Sequence, residues 1–312
     1  LGYYDLRVPE TREAQASLAR EYGIEGFCYW HYWFGNGKQL LERPFNEVLI
    51  SGKPDYPFCI AWANESWSGF WHGTDNRNTL IEQLYPGPKD IENHFYALLP
   101  AFTDPRYIKV DGKPLVNIYK PLALPDASIF IKIWKDLAIK NGLLGLYFVG
   151  QAKNEEETCE IRNLGFDAVN LIGLNRYKAH RKQLKYSILS KYYKLMYGCP
   201  NIGFYEDAMR FFISGIEKQN DVFPTIVPNW DHSPRTHKEG FVLHGSSPEL
   251  FSKHLLEVKQ VIQDKDSEHN IVFIKSWNEW AEGNYMEPDL LFGRRYLEVL
   301  KDSFSDTNNN KY

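Results

Sequence analysis

Ile271-Val272-Phe273-Ile274-Lys275-Ser276-Trp277-Asn278-Glu279-Trp280-Ala281-Glu282-Gly283 is an apolar run that gives way to two carboxylates three positions apart among tryptophans. The run Ile271 to Ile274 reads as a buried strand. In barrel enzymes the chemistry gathers where strands end and their loops begin, so Glu279 and Glu282 stand where catalytic groups would. If the chain turns helical after Trp277, residues three apart share a face with Cβ atoms about 5–6 Å apart. Two carboxyls that close perturb each other's pKa, so one can stay protonated as an acid while the other stays ionised as a base. Nearby indole faces offer apolar platforms for the C–H faces of a sugar ring. A helix N-terminus with acidic residues in its first turn is the competing explanation, since the macrodipole favours them there; the catalytic reading is preferred.

Working outward, strand-like runs alternate with helical patterns along the whole chain, the signature of parallel βα units. Residues 9–22 have helical periodicity, with Thr11 as the candidate cap and Gly23 as the stop. Gly26-Phe27-Cys28-Tyr29-Trp30-His31-Tyr32-Trp33 reads as a strand entering an aromatic loop. Further strands are expected at 57–63, ending in Asn64-Glu65, and at 114–119, 144–150, 168–172, 223–227 and 271–274, with a helix at 127–140 between the third and fourth. Seven units are visible and an eight-stranded barrel needs one more. The expected architecture is a single (β/α) barrel domain over 1–302, interrupted by a basic helical insertion around 173–205. The polar, asparagine-rich segment 303–312 is expected to fray.

Composition narrows the function. A chain of 312 residues fits one α/β barrel. A net charge of −4 and a pI near 6.2 give no reason to expect a nucleic-acid partner. Aromatic residues make up 15% of the chain, and of the nine tryptophans only Trp134 lies away from expected strands and the loops after them, which suggests a lined cleft. Cys28, Cys59, Cys159 and Cys199 are scattered and read as buried free thiols. The given chain shows no leader and no long apolar run, so a cytoplasmic location is expected.

Glu65, just after a strand and preceded by Asn64, is a second carboxylate candidate that could face Glu279 across a barrel mouth. Its plainer role is to bond a loop or a sugar hydroxyl. His31, Tyr119, Gln151 and Asn170 follow other strands, as does the cluster Asn229-Trp230-Asp231-His232-Ser233-Pro234-Arg235. A hydroxyl-rich ligand needs many donors and acceptors with little net charge, and this ring supplies them. The nine histidines show no metal-binding spacing, so no metal is expected. Neither a Walker loop nor a dinucleotide fingerprint occurs, and no cofactor is expected. Asp264-Lys265-Asp266 matches the short D-x-D pattern of metal-dependent glycosyltransferases, but its place after a helix favours a solvated turn. No acidic residue lies between Asp167 and Glu206, while lysines and arginines alternate with tyrosines from Arg176 to Lys194. That stretch reads first as the solvated face of an inserted hairpin, and second as a dock for an anionic membrane surface or an acidic glycan.

Five motifs together carry a resemblance: Gly2-Tyr3-Tyr4-Asp5-Leu6, Gly23-Ile24-Glu25-Gly26-Phe27-Cys28-Tyr29-Trp30-His31-Tyr32-Trp33, Leu41-Glu42-Arg43-Pro44-Phe45, Trp62-Ala63-Asn64-Glu65 and Trp277-Asn278-Glu279-Trp280-Ala281-Glu282-Gly283. Over nearly its whole length the chain resembles the WbsX family, which belongs with proteins similar to glycoside hydrolase family 99, the endo-α-mannosidases and endo-α-mannanases. The resemblance implies a (β/α)8 TIM barrel and a retaining endo-glycosidase or transglycosylase that needs no metal and acts on a mannan-like or bacterial surface polysaccharide. In that scheme Glu279 takes the proton of the sugar 2-hydroxyl, and Glu282 serves the leaving group and then water. The sugar's own 2-oxygen attacks the anomeric carbon, in place of the enzyme carboxylate of the usual retaining scheme. Trp30, His31, Trp62, Asn64, Glu65, Tyr119, Gln151, Asn229, Asp231, Arg235, Trp277 and Asn278 are the expected substrate contacts. The family's first strand, with a Pro-Gln-Phe-His type motif, does not occur in the given chain, so a fragment or a substitute segment is expected. WbsX members are commonly labelled glycosyltransferases of O-antigen, lipopolysaccharide or capsule assembly. That activity is the leading alternative, and a non-catalytic carbohydrate-binding barrel is the third.

Overall fold

The computed structural model describes residues 2–69, 78–181 and 200–305, together with 188, 192, 195, 196 and 198. The chain divides into two compact units. One comprises Leu1–Trp67, Ile81–Gln151 and Glu156–Val169; the other comprises Ser68–Leu80, Ala152–Glu155 and Asn170–Tyr312. The fold is mixed α/β, and its longer strands pair in parallel.

In the first unit, β1 (Phe27–Trp33), β2 (Phe58–Trp62), β3 (Lys113–Ile118) and β4 (Tyr147–Ala152) pair in chain order. The registers are Phe27↔Phe58, Ile60↔Val116 and Leu115↔Tyr147, all parallel. Helices Arg43–Ser51, Pro88–Phe102 and Ala127–Lys140 fill the crossovers. All five residues of β2 are buried, as expected of a parallel strand covered on both faces. β1 is less buried, and its far edge pairs antiparallel only at its end, where Tyr32 meets Leu40 and Trp33 meets Gln39.

Helix Ala127–Lys140 shows why these residues form these elements. Phe130, Ile131, Trp134 and Ala138 recur at helical spacing on the buried side. The helix stops at Asn141, and Gly142 follows at φ 83°, a conformation glycine adopts without penalty. Trp134 is fully buried among Phe95, Phe102, Phe130 and Phe148, and its indole N–H donates to the Ile91 carbonyl at 3.0 Å. Truncating such a side chain to alanine costs about 3–5 kcal/mol.

The second unit contains β6 (Val222–Ile226) and β7 (Phe273–Ile274), parallel through Thr225↔Phe273 and Ile226↔Ile274. β5 (Ala168–Leu171) runs across the boundary between the units. Within the second unit its Asn170 side chain donates to the Phe223 carbonyl at 3.2 Å and to Thr225 Oγ1 at 2.9 Å, so it bridges strands. Asn201–Phe204 and Phe241–His244 form a separate parallel pair. Helix Pro248–Ile262, capped by the Ser247 hydroxyl, packs against helix Arg295–Ser305.

Several local expectations change. Helix Pro9–Glu21 begins with Pro9 as its first residue and Val8 before it, so Thr11 lies inside the helix and caps nothing. β4 starts at Tyr147 because Gly145 sits at φ 120° and Leu144 is exposed. β7 is two residues long, with Ile271 and Val272 lying before it outside regular structure. Ser303–Ser305 close the last helix instead of fraying: Leu297 and Leu300 bury its face and Lys259 Nζ holds the Ser303 carbonyl at 2.9 Å. Residues 306–312 and most of 182–199 lie outside the described residues, and with them Cys199 and the greater part of the expected basic hairpin. Cys59 is buried, Cys28 is half-buried and paired with it in register, and Cys159 is exposed, so the expectation of buried thiols fails there. Among the described residues no helix is long and apolar enough to cross a membrane.

Candidate active site

Glu279 and Glu282 stand in the second unit on the loop after β7. The chain makes one 3-10 turn there, Trp280–Glu282, rather than an α-helix. Gly283 at φ 63° ends the turn, and its N–H bonds the Trp280 carbonyl at 3.2 Å. Glycine is required at this point for a second reason. A Cβ on residue 283 would lie 2.8 Å from both the backbone N and the Cβ of Asp231. The loop after β6 is therefore pressed against the loop after β7, and the Asp231 N–H donates to the Glu282 carbonyl at 2.7 Å. The Glu279 N–H donates to the Ser276 hydroxyl at 3.2 Å, and the Ser276 N–H to the Asn284 carbonyl at 2.5 Å, which fixes the start of the loop.

Each glutamate has its own nitrogen partner. Arg235 Nη2 lies 2.9 Å from Glu279 Oε1, and His232 Nε2 lies 3.6 Å from Glu282 Oε1. Burial raises the Glu279 carboxyl above the usual range; Arg235 opposes the rise, and the neighbouring Glu282 charge adds to it. Burial works the same way on Glu282, but the His232 bond and the charges of Lys275 and Arg235 outweigh it and hold that carboxyl low. The two groups are thus pushed apart, as an acid–base pair requires. Their polarity is the reverse of the expected roles: the proton resides more readily on Glu279.

The other expected contacts of this unit surround the pair unevenly. Asp231 is turned toward its own loop and accepts from the Ser233 N–H at 2.8 Å and hydroxyl at 2.5 Å. Asn229 is half-buried and its Oδ1 has no hydrogen-bond partner. Asn278 is exposed, and the Trp277 carbonyl takes the Met286 and Glu287 N–H groups at 2.9 and 3.2 Å. Trp280 stacks on Tyr285 with ring centres 3.7 Å apart and donates to Glu287 at 2.7 Å, leaving its other face in solvent.

Three basic residues that act here were not singled out from the sequence. His232 lies inside a quoted cluster, so its position was a usable signal. Lys275 directly follows β7. Lys178, on helix Leu174–Arg181, belongs to the stretch expected to be a solvated face, yet its Nζ lies 4.1 Å from the Trp230 ring and 5.3 Å from Phe241. Arg176, two residues earlier, is paired with the fully buried Glu217. The solvated-face expectation is corrected for both, because two inward cations on one short helix cannot also form its wet side. The expected solvated turn at Asp264-Lys265-Asp266 is corrected at its centre: Lys265 is buried and donates to the Val222 carbonyl at 2.6 Å, while the flanking aspartates are exposed.

The first unit holds the remaining candidates. Trp30 is 38% exposed and meets Tyr119 edge to face at 5.2 Å, so these two present a usable aromatic surface. Glu65 is ion-paired with Lys120. Asn64 is buried and braces the loop after β3: its Nδ2 donates to the Lys120 carbonyl at 2.9 Å and its Oδ1 accepts from the Lys120 N–H at 2.8 Å. Trp62 is buried and donates to the Trp33 carbonyl at 3.0 Å. His31 is buried with its Nε2 2.8 Å from that of His94, which in turn stacks on Trp33 at 4.6 Å. Burial pushes His31 down to about 4 and His94 well below the usual range. Neither Trp62 nor His31 presents a face to solvent. Gln151 is half-buried with its Oε1 unbonded, and buried Asn117 has neither amide atom bonded. Among the described residues no three His, Cys, Asp or Glu side chains gather as a metal site would need.

Comparison with known proteins follows the same line. Residues 1–300 match the model of a family described as Glycosyltransferase WbsX. Two curated relatives, both described as uncharacterized protein WxcX, come from Xanthomonas campestris pv. campestris, strains B100 and ATCC 33913. Each is 29% identical over 307 residues, which is 98% of this chain and 43% of the relative. The chain thus spans less than half the length of these relatives. Among solved structures, the GH99 endo-alpha-mannosidase from Bacteroides thetaiotaomicron in complex with BIS-TRIS-propane is similar at TM-score 0.55 and 15% identity, covering 97% of this chain and 84% of that one. Another structure of the same enzyme matches at TM-score 0.54 and 15% identity, covering 96% of this chain and 79% of its own. These likenesses describe the fold.

Proposed function

Since the chain belongs to the Glycosyltransferase WbsX family, a family of glycan-active enzymes, we propose that it is a retaining endo-glycosidase or transglycosylase working through Glu279 and Glu282. The observation that carries this reading is the pair itself. Two glutamates of one loop, each with a separate side-chain nitrogen beside it, have their proton affinities driven in opposite directions. The reading takes the parallel strands as part of a closed (β/α)8 barrel, and a mannan-like or bacterial surface polysaccharide as substrate.

In the proposed cycle Glu279 accepts the proton of the sugar 2-hydroxyl while the 2-oxygen displaces the leaving group at the anomeric carbon. Glu282 protonates the departing oxygen and then deprotonates the incoming water or acceptor hydroxyl, which attacks the anomeric carbon as its bond to the 2-oxygen breaks and Glu279 returns its proton to that oxygen. Arg235 opposes the burial that raises Glu279 and so favours the ionised form a base needs. Glu282 must carry a proton when substrate is bound, although its surroundings favour the anion in the free protein. A bound sugar supplies the change, because expelling water from Glu282 strengthens the desolvation that already works to raise it.

Mass spectrometry of products from α-mannans and bacterial surface polysaccharides tests the reading. New oligosaccharides should form with the wild-type chain and disappear with Glu279→Gln and Glu282→Gln, each removing acid–base help of about 10²–10⁴-fold. Full turnover in either variant would refute the assignment. An activated aryl leaving group separates the roles: it should restore Glu282→Gln and leave Glu279→Gln inactive. The family's name favours a second reading, glycosyl transfer, and tight binding of a nucleotide sugar by the wild-type chain would select it.

A further inference from the structure

Lys178 is the group at this site that the proposed chemistry does not use. Its side chain is half-buried, with the ammonium against the rings of Trp230 and Phe241 at 4.1 and 5.3 Å. Among the described residues it has no carboxylate, carbonyl or hydroxyl within bonding distance. Glu282 stabilises the charge and Lys275 opposes it, yet burial dominates and pushes Lys178 down to about 8. Taking an ammonium out of water without a directly bonded counterion is costly. A cation–π contact with an indole recovers only about 0.5–2 kcal/mol.

A second observation points the same way. The Trp230 indole N–H is buried with no acceptor, and so is Arg235 Nε, although Arg235 Nη2 is engaged by Glu279. Lys275 Nζ lies 5.7 Å from the same indole, and His232 stacks beside it with ring centres 6.2 Å apart. The unmet groups around Trp230 are therefore donors, two of them on cationic side chains. Indole, ammonium and guanidinium nitrogens can only donate. The one unmet acceptor nearby in sequence, Asn229 Oδ1, suits a sugar hydroxyl.

From these contacts we infer that the glycan taken at this site bears an anionic substituent, a carboxylate or a phosphate, on the residue bound beside Glu282, with Lys178 as the specificity-determining cation. The inference rests on the proposed glycan-binding role of the Glu279–Glu282 loop and narrows its substrate class. A neutral hydroxyl could satisfy the indole N–H, whereas an anion would also bond the Lys178 ammonium directly, which Glu282 stabilises only from a distance. Because Lys acts as a point charge, it accepts either a planar carboxylate or a tetrahedral phosphate.

Calorimetric binding of matched oligosaccharides to the full chain tests this, with oligogalacturonate, a phosphorylated manno-oligosaccharide and the neutral manno-oligosaccharide as probes. At least one acidic probe should bind ten-fold or more tightly than the neutral one. Which acidic probe wins identifies the substituent. Lys178→Met should collapse the ratio of acidic to neutral affinity to about one, and Lys178→Arg should keep it, which guards against a simple folding defect. Equal binding of acidic and neutral probes, a preference that survives Lys178→Met, or no binding of any probe would overturn the inference. Acidic binding without cleavage would leave it standing while defeating the hydrolase reading.

Discussion

Removing the Arg176 guanidinium should destabilise the second unit by an amount its contacts define. Arg176 is paired with Glu217, whose side chain is 0% exposed, while Arg176 itself is 13% exposed. Breaking a buried pair by deleting one partner costs about 3–5 kcal/mol. Two features put Arg176→Met at the low end. Glu217 keeps the Ser214 and Gly215 N–H groups, both at 3.0 Å, and the Ser214 hydroxyl at 3.3 Å. The substitution also removes Nε and Nη1 of Arg176, which are buried without acceptors. Glu217→Ala has neither relief: it strands the arginine and frees the Ser214 and Gly215 N–H groups, while the Ser214 hydroxyl keeps Glu155 at 2.7 Å, so it belongs at the high end. With a urea slope of about 2–3 kcal/mol per molar, about 3 kcal/mol moves the midpoint by about 1–1.5 M. Urea titration followed by tryptophan fluorescence reads this directly. A midpoint for Arg176→Met within about 0.3 M of the parent, or a loss larger than that of Glu217→Ala, would refute the account.

Two other perturbations test features of the first unit. Asn64→Ala deprives the Lys120 N–H and carbonyl of their shared partner and should cost about 1–3 kcal/mol, read as a lower urea midpoint; no change would mean that the loop brace is idle. Acidification should weaken the chain early, because His31 and His94 are held neutral by burial and their folded-state affinity for protons lies below the unfolded value. Their contribution is intact above about pH 6.5 and falls by up to about 1.4 kcal/mol per pH unit per histidine on the way down. For His31 the loss continues to about 4. Urea midpoints at pH 7, 6 and 5 should fall accordingly, and His31→Phe with His94→Phe should flatten the slope; an equally steep fall in that double variant would contradict it.

Much of the fold was legible because parallel strands bury both faces and so announce themselves as apolar runs. β2, β3, β5 and β6 lie within a residue or two of their expected positions, and helix Ala127–Lys140 has its expected ends. Periodicity fails where backbone conformation decides. Gly145 delays β4, and Pro9 displaces Thr11 as the start of the first helix. The catalytic candidates were legible as a pair of letters on one loop, but their polarity was not, because it depends on Arg235 and His232 folding back from another loop. Lys178 was misread for a related reason. A run of basic residues looks like a wet face until the partners of each are known, and those of Lys178 and Arg176, Trp230 and Glu217, are 52 and 41 positions away. His31 shows the converse: a polar residue near a strand end, it turns toward His94 in the following helical layer.

The contact between Gly283 and Asp231 bears on how such a protein could diversify. With no room for a Cβ at position 283, and the Asp231 N–H committed to the Glu282 carbonyl, the segments carrying the two glutamates and their partners Arg235 and His232 behave as one inherited block. Neither can lengthen or drift alone without breaking the other's geometry. Variation among homologous chains should therefore concentrate in loops of the first unit, such as the one bearing Glu65 and Lys120. A graft meant to transplant the chemistry onto another scaffold would have to move both loops together.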